Sequence, residues 1–123
     1  MTAVVRTPGH ALEDTESIQL AGLLAALHEQ RRFRIEQLEE LAAQTADRSR
    51  LIEDDPQDEV ADALRAGAAS ALREIEAALA RIEVGSYGKC ERCECAIPLE
   101  RLEILPMAAL CMRCQCALEA RAR

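Results

Sequence analysis

Six cysteines carry most of the chemistry that this sequence offers, and four of them form two Cys-x-x-Cys motifs. We name these the first knuckle, Cys90 and Cys93, and the second knuckle, Cys111 and Cys114. The motifs are separated by 17 residues, a spacing typical of a tetrathiolate zinc site. Four sulfur ligands leave no position for water, so we predict one structural zinc ion with no catalytic role. Two disulfides, or a redox-active pair, are the alternatives, but no βαβ pattern or secretion signal supports them.

Two further cysteines, Cys95 and Cys116, each stand two residues beyond the second cysteine of a knuckle. They are interpreted either as small apolar side chains or as alternative ligands that form a disulfide under oxidation. The second interpretation makes the zinc finger redox-sensitive, and the exposure and thiolate character of each cysteine decide between the two.

The composition limits the size of the hydrophobic core. The chain has 123 residues with one Phe, one Tyr and no Trp, so we expect one small domain stabilised by helix pairing and by the metal. Residues 1–17 contain no apolar run of signal-peptide length, and no segment approaches a membrane span. We therefore expect a cytoplasmic protein with reduced thiols.

Charge is distributed unevenly along the chain. Residues 1–84 carry 9 basic and 17 acidic side chains, whereas residues 85–123 carry 6 and 5. Non-specific binding to nucleic acid needs a basic face that releases counterions, and the acidic segment offers the opposite. The charge pattern favours a protein partner with a basic or metal-containing surface.

Apolar residues spaced three and four apart predict two long helices, from about Thr15 to near Ile52 and from about Pro56 to Val84. A short connection between two such helices predicts an antiparallel coiled-coil hairpin, and Gly85 is a plausible stop for the second helix. The predicted apolar positions include Leu20, Leu24, Leu27, Leu38 and Leu41 on the first helix, and Ala61, Leu64, Ala68, Ala71, Ile75, Ala78 and Ile82 on the second.

The predicted fold is mostly α: a hairpin, a small four-cysteine zinc-finger globule and a short C-terminal helix from about Cys111 to Arg121. We predict a flexible tail at residues 1–14, the hairpin at 15–84 and the globule at 85–123. Because the first helix outruns the second, its residues 18–27 should pack on the globule. The expected partners there are Leu99, Leu102, Ile104, Leu105 and Leu110.

The hairpin tip, which we define as residues 53–62, holds six acidic residues and no basic one. Helix capping accounts for two of them: Asp55 suits an N-cap and Asp58 the N3 position, with Pro56 at the first helical position. Capping does not explain the four other carboxylates. Concentrated negative charge at the end of a long hairpin favours a role in which the tip enters a charged cleft of a partner. This role is compatible with helix capping.

The sequence resembles the DksA/TraR family of RNA polymerase-binding transcription factors. The resemblance rests on the tip motif Asp55-Pro56-x-Asp58 and on four motifs of the finger. These finger motifs are Gly85-Ser86-Tyr87-Gly88-x-Cys90-x-x-Cys93, Ile97-Pro98-x-x-Arg101-Leu102-Glu103, Pro106 and Cys111-x-x-Cys114.

The resemblance implies a monomer that is not an enzyme and that binds no specific DNA sequence directly. Its globule would dock at the rim of the polymerase secondary channel, and its hairpin would place Asp55 and Asp58 near the catalytic centre. Val60 stands two residues after the second tip aspartate, where well-studied members have Ala. Such proteins change the stability of promoter complexes by preferring one polymerase–promoter state over another.

The sequence departs from the family pattern in the finger and the hairpin. Glu94 follows Cys93 where the family usually has Gly, so a positive φ there would strain and distort the knuckle. The hairpin is about one heptad shorter than in the best-known branch. Leu105 and Gln115 stand where that branch has basic residues that bind ppGpp, so we do not expect dependence on ppGpp.

Two other functions remain open from the sequence. One is a protein-interaction module of the same fold that uses its hairpin on another partner. The other is a thiol redox protein, which bound metal without disulfide-reductase activity would exclude.

Overall fold

The computed structural model describes the backbone of residues 11–49 and 57–122, and the side chains of residues 18–47 and 59–122. Four helices follow one another: α1 (Ala11–Ser49), α2 (Gln57–Val84), α3 (Leu99–Ile104) and α4 (Met112–Ala122). Over these ranges no β-strand forms, and an isolated antiparallel bridge pairs Lys89 with Ala96. The mostly α fold predicted from the sequence is confirmed.

Helices α1 and α2 form the antiparallel hairpin, as contacts along its length show. Leu27 of α1 packs against Ile75 and Ala78 of α2, all of them fully buried. Nearer the tip, the Arg65 guanidinium donates to Thr45 Oγ1 at 2.8 Å. The small Ala68, which is also buried, allows the helix backbones to approach closely.

Two positions of the predicted apolar stripes are exposed instead of buried. Leu20 is 40% exposed and Leu64 is 50% exposed. The physical reason is that a helix packed against a single neighbour covers only a narrow side of its surface. On α2 the buried residues Ala61, Ala68 and Ile75 are spaced seven residues apart and form one row along the helix. Leu64 lies at the edge of this buried row.

The end of α2 is set by Gly85, as the sequence indicated. Gly85 has φ +82°, and its N–H donates to the Ile82 carbonyl at 3.3 Å. The Ser86 N–H donates to the Arg81 carbonyl at 2.9 Å. These two bonds are those of a Schellman motif, which satisfies the last helix carbonyls and turns the chain into the finger.

Helix α1 begins at Ala11, four residues before the predicted start, and its Leu23 packs on the finger. Leu23 shares a buried cluster with Ile97 and Leu102 of the finger, against which Leu99 and Leu110 also pack. The prediction that Ile104 and Leu105 also pack against α1 is wrong, because these side chains are 77% and 41% exposed. Both lie at the C-terminal end of the six-residue α3, whose buried side is filled by Leu102.

The parts of the chain that the structure describes contain no helix long and apolar enough to span a membrane.

Candidate metal centre

The four knuckle cysteines meet at one point. The Sγ atoms of Cys90, Cys93, Cys111 and Cys114 all lie within 4.8 Å of one another. Cys93 Sγ and Cys111 Sγ, which belong to different knuckles, are 3.8 Å apart. A tetrahedral zinc site with Zn–S bonds near 2.3 Å has sulfur atoms about 3.8 Å apart, so the thiols fit one zinc ion.

The first knuckle is shaped by backbone hydrogen bonds around Cys90. The Cys90 N–H donates to the Cys95 carbonyl at 2.8 Å, and the Glu94 N–H donates to the Cys90 carbonyl at 2.9 Å. Glu94 adopts φ +67°, the left-handed conformation expected if it replaces a glycine. Because the four thiols still converge, the positive φ does not distort the site; it is accommodated as local backbone strain.

The second knuckle stands at the N-terminus of α4. Cys111 directly precedes the helix, Cys114 lies in its first turn, and the Gln115 N–H donates to the Cys111 carbonyl at 2.9 Å. Backbone N–H groups and the positive end of a helix stabilise thiolates placed there. The two knuckles are tied together by the Glu91 N–H, which donates to the Ala109 carbonyl at 2.9 Å.

The thiols differ in acidity because their surroundings differ. Burial raises the pKa of Cys90, but hydrogen bonds from the backbone at Cys93, Cys111 and Arg92 outweigh it and lower that pKa to about 6. The backbone N–H of Cys95 is the largest influence on Cys93 and lowers its pKa. Burial, with hydrogen bonds to the neighbouring thiols, raises the pKa of Cys114 to about 12. Four adjacent thiols therefore cannot all ionise unless a cation displaces their protons, as zinc does.

The centre is closed to catalysis. Cys90 and Cys114 are buried, Cys93 and Cys111 are half-buried, and a zinc ion held by all four would have its four coordination positions occupied by sulfur. Such a site holds the fold together and has no open position for substrate or water. One structural zinc ion, as predicted, is the cofactor that these residues bind.

The two surplus cysteines lie outside the group of four. Cys95 and Cys116 are both exposed. A hydrogen bond with Cys93 is the largest influence on Cys95 and raises its pKa. Their exposure does not fit the interpretation as core fillers, and their redox role stays a prediction.

The described part of the tip, from Gln57 to Asp62, lies at the far end of α2 from the metal centre. Asp55 is outside the described residues, and Asp58 is the second residue of α2, with its side chain outside the described set. Val60 is 60% exposed. Asp62, also exposed, accepts a hydrogen bond from Arg65 at 2.8 Å. At about 1.5 Å per residue, some 40 Å of helix separates the tip from the finger.

A groove of about 800 Å³ lies between α2 and the finger. Leu105 and Gln115, the positions at which the ppGpp-binding branch has basic residues, both line it. The structure thus brings these two positions together, but a leucine and a glutamine supply no positive charge for a phosphate. That ppGpp is not required stays a prediction.

Sequence reasoning missed Arg81, which lies at the back of this groove. It is 9% exposed, and its guanidinium contacts the finger. Its burial depends on the finger loop at Met107 and Ala108, so the residue pattern of α2 alone carries no signal for it.

Comparison with known proteins identifies the finger. Residues 85–120 match the family model of the prokaryotic dksA/traR C4-type zinc finger. Over 86% of its length the chain resembles the solved structure of transcription factor DksA2 from Pseudomonas aeruginosa, of which the match covers 87%, with a TM-score of 0.67 and 25% identity. The finger is of the DksA/TraR C4 type. An uncharacterized protein of Aquifex aeolicus (strain VF5) is 51% identical to this chain over 43 residues. That match covers 35% of this chain and 30% of the Aquifex protein.

Proposed function

We propose that this protein is a non-enzymatic transcription regulator that binds RNA polymerase and inserts its hairpin into the secondary channel. The observation that supports this most strongly is the shared architecture with the transcription factor DksA2, which extends over both the finger and the hairpin. The same proposal places the protein in the cytoplasm, where it would act as a monomer.

The hairpin has the form that such a role requires. Helix α2 contains 28 residues and is therefore about 42 Å long, while a two-helix pair needs far less length to support a zinc finger. The finger is fixed at one end of the hairpin, because Leu23 of α1 packs in the finger cluster and Tyr87 and Met107 of the finger pack against the cluster of Leu27, Ile75 and Ala78. The exposed Glu59 and Asp62 follow Asp58 at the other end, so negative charge is concentrated there.

The mechanism is differential binding. A factor without catalytic groups changes promoter-complex stability only when it binds one polymerase–promoter state more tightly than another. In this proposal the carboxylates of Asp55 and Asp58, near the polymerase catalytic centre, provide the state-dependent contact. The finger provides the contact that all states share.

The test compares intact protein with an Asp55→Asn, Asp58→Asn double variant. Affinity for core RNA polymerase of the same cell and promoter-complex lifetime are measured side by side. We expect both proteins to bind within a few-fold of each other while only the intact one changes complex lifetime. An Asp47→Asn variant is the matched control, because Asp47 is an exposed acid on α1 outside the tip. Failure of the zinc-loaded intact protein to bind polymerase would refute the proposal.

The second candidate is a redox-controlled interaction module with another partner. It is favoured by the exposure of both surplus cysteines and by the contact of Cys95 with the ligand Cys93. The test is zinc release under hydrogen peroxide from intact protein and from a Cys95→Ser, Cys116→Ser variant. Slower release from the variant supports redox control, and equal rates exclude a role for these two thiols.

A further inference from the structure

A buried arginine joins the hairpin to the finger. Arg81 lies in the last turn of α2, and its side chain contacts the loop that precedes the second knuckle. It is the charged residue with the least exposure among those that the structure describes. Burying a guanidinium is costly unless polar groups surround it, so its surroundings are informative.

The Arg81 guanidinium has three acceptors, all in the finger. Nη2 donates to the Met107 carbonyl at 3.4 Å and to the Ala108 carbonyl at 3.3 Å. Nη1 lies 3.5 Å from a carboxylate oxygen of Glu91. Nε is buried and has no partner. The charge is therefore held by contacts at the long end of the hydrogen-bond range, which hold only while the acceptors keep their positions.

Both knuckles determine where those acceptors lie. Glu91 stands inside the first knuckle, between Cys90 and Cys93. Ala108 belongs to the loop that leads into Cys111, and the next residue, Ala109, accepts the Glu91 N–H. Zinc draws the two knuckles together, so it also holds the acceptors of Arg81 in one place.

We propose that Arg81 couples zinc occupancy to the hairpin, so that the last turns of α2 are ordered, and the rod is held at a fixed direction, only while the finger holds its metal. Arg81 acts here as a positioning residue. Without zinc the two knuckles separate, the three acceptors disperse, and the end of α2 loses the contacts that hold it against the finger. The inference concerns this chain alone and does not depend on the proposed polymerase partner.

Arg73 provides the matched control. It is an arginine on the same helix and lines the same groove, but it is exposed. Replacing either arginine by methionine removes one positive charge and changes the side-chain volume on α2. Coupling to the metal centre, in contrast, should be lost only when Arg81 is replaced.

The experiment is hydrogen exchange followed by mass spectrometry on full-length protein, with zinc and after chelation, and with zinc content measured in parallel. In intact protein we expect chelation to raise amide exchange over residues 75–84 about tenfold, as local opening of the helix end. Zinc-loaded Arg81→Met should retain one zinc and already show this faster exchange, with less than a twofold further rise on chelation. Arg73→Met should behave as intact protein. Normal exchange in zinc-loaded Arg81→Met, or loss of its zinc, would overturn the proposal.

If Arg81→Met does not fold, a less disruptive substitution tests the same coupling. Glu91→Gln removes the charged acceptor while preserving the Arg81 side chain and the two carbonyl contacts. We expect it to retain zinc and to raise exchange over residues 75–84 about threefold, and unchanged exchange would contradict the coupling.

Discussion

The Tyr87 hydroxyl donates a 2.8 Å hydrogen bond to the carbonyl of Pro106, across the finger. The Tyr87 ring packs against both buried clusters, one around the metal centre and the other around Leu27. This single side chain therefore bridges the metal centre, the hairpin and the loop before the second knuckle. Its titration should report on the packing of all three.

The first prediction concerns alkaline pH. Burial raises the pKa of Tyr87 to about 12, with Arg81 lowering it slightly. The phenol is neutral in the fold and ionises near pH 10 when unfolded, so the free energy of unfolding should decline as pH rises from about 10 to about 12. Tyr87 is the only tyrosine, so ultraviolet absorbance of the phenolate measures it alone.

The Tyr87→Phe variant is the control for that titration. It keeps the ring but leaves the buried Pro106 carbonyl without its donor, which should cost about 1 kcal/mol at neutral pH. Its stability should then change less between pH 10 and 12 than that of intact protein. Ionisation of Tyr87 near pH 10 in the native protein would contradict the packing described above.

The second prediction separates ligands from surplus thiols. Cys90→Ser should abolish stoichiometric zinc binding, because a buried ligand of a closed four-sulfur site is lost. Cys116→Ser should retain one zinc per chain, since Cys116 is exposed and outside the group of four. Elemental analysis of purified protein measures both. Loss of zinc from Cys116→Ser would mean that the ligand set is wrong.

The third prediction concerns the backbone strain at Glu94. Both Glu94→Gly and Glu94→Ala remove the carboxylate, but only glycine relieves the positive φ. We expect the glycine variant to be more stable than the alanine variant by about 1 kcal/mol. Thermal unfolding of the zinc-loaded proteins tests this difference, and equal stabilities would show that the strain is absorbed elsewhere.

The fourth prediction compares two leucines of α1. Leu27 is fully buried against Ile75 and Ala78, whereas Leu20 is 40% exposed. Leu27→Ala should lower the free energy of unfolding by about 2–5 kcal/mol, and Leu20→Ala by much less. Denaturant unfolding followed by circular dichroism measures both. Similar losses in the free energy of unfolding for the two variants would show that the hairpin interface does not bury the side of α1 that carries Leu27.

The metal centre and the hairpin were predictable because their signals are local. Ligand spacing identified the four cysteines, and periodicity identified two helices whose junction with the finger is marked by Gly85. The exposure of Leu64 and the burial of Arg81 were not predictable in this way. Both depend on which side of α2 is covered by a distant part of the chain, and spacing within one helix carries no such information.

The packing of Leu23 determines when the protein can finish folding. Leu23 shares its cluster with Cys114, and these residues come from opposite ends of the chain. A ribosome releases α1 long before it releases the second knuckle, so the first half of α1 emerges without the surface that buries it. Contacts between such distant residues also form slowly, because a large loop must close first. The part of α1 around Leu23 is therefore the last part of the hairpin to become stable during synthesis, and it does so only after the second knuckle has been made.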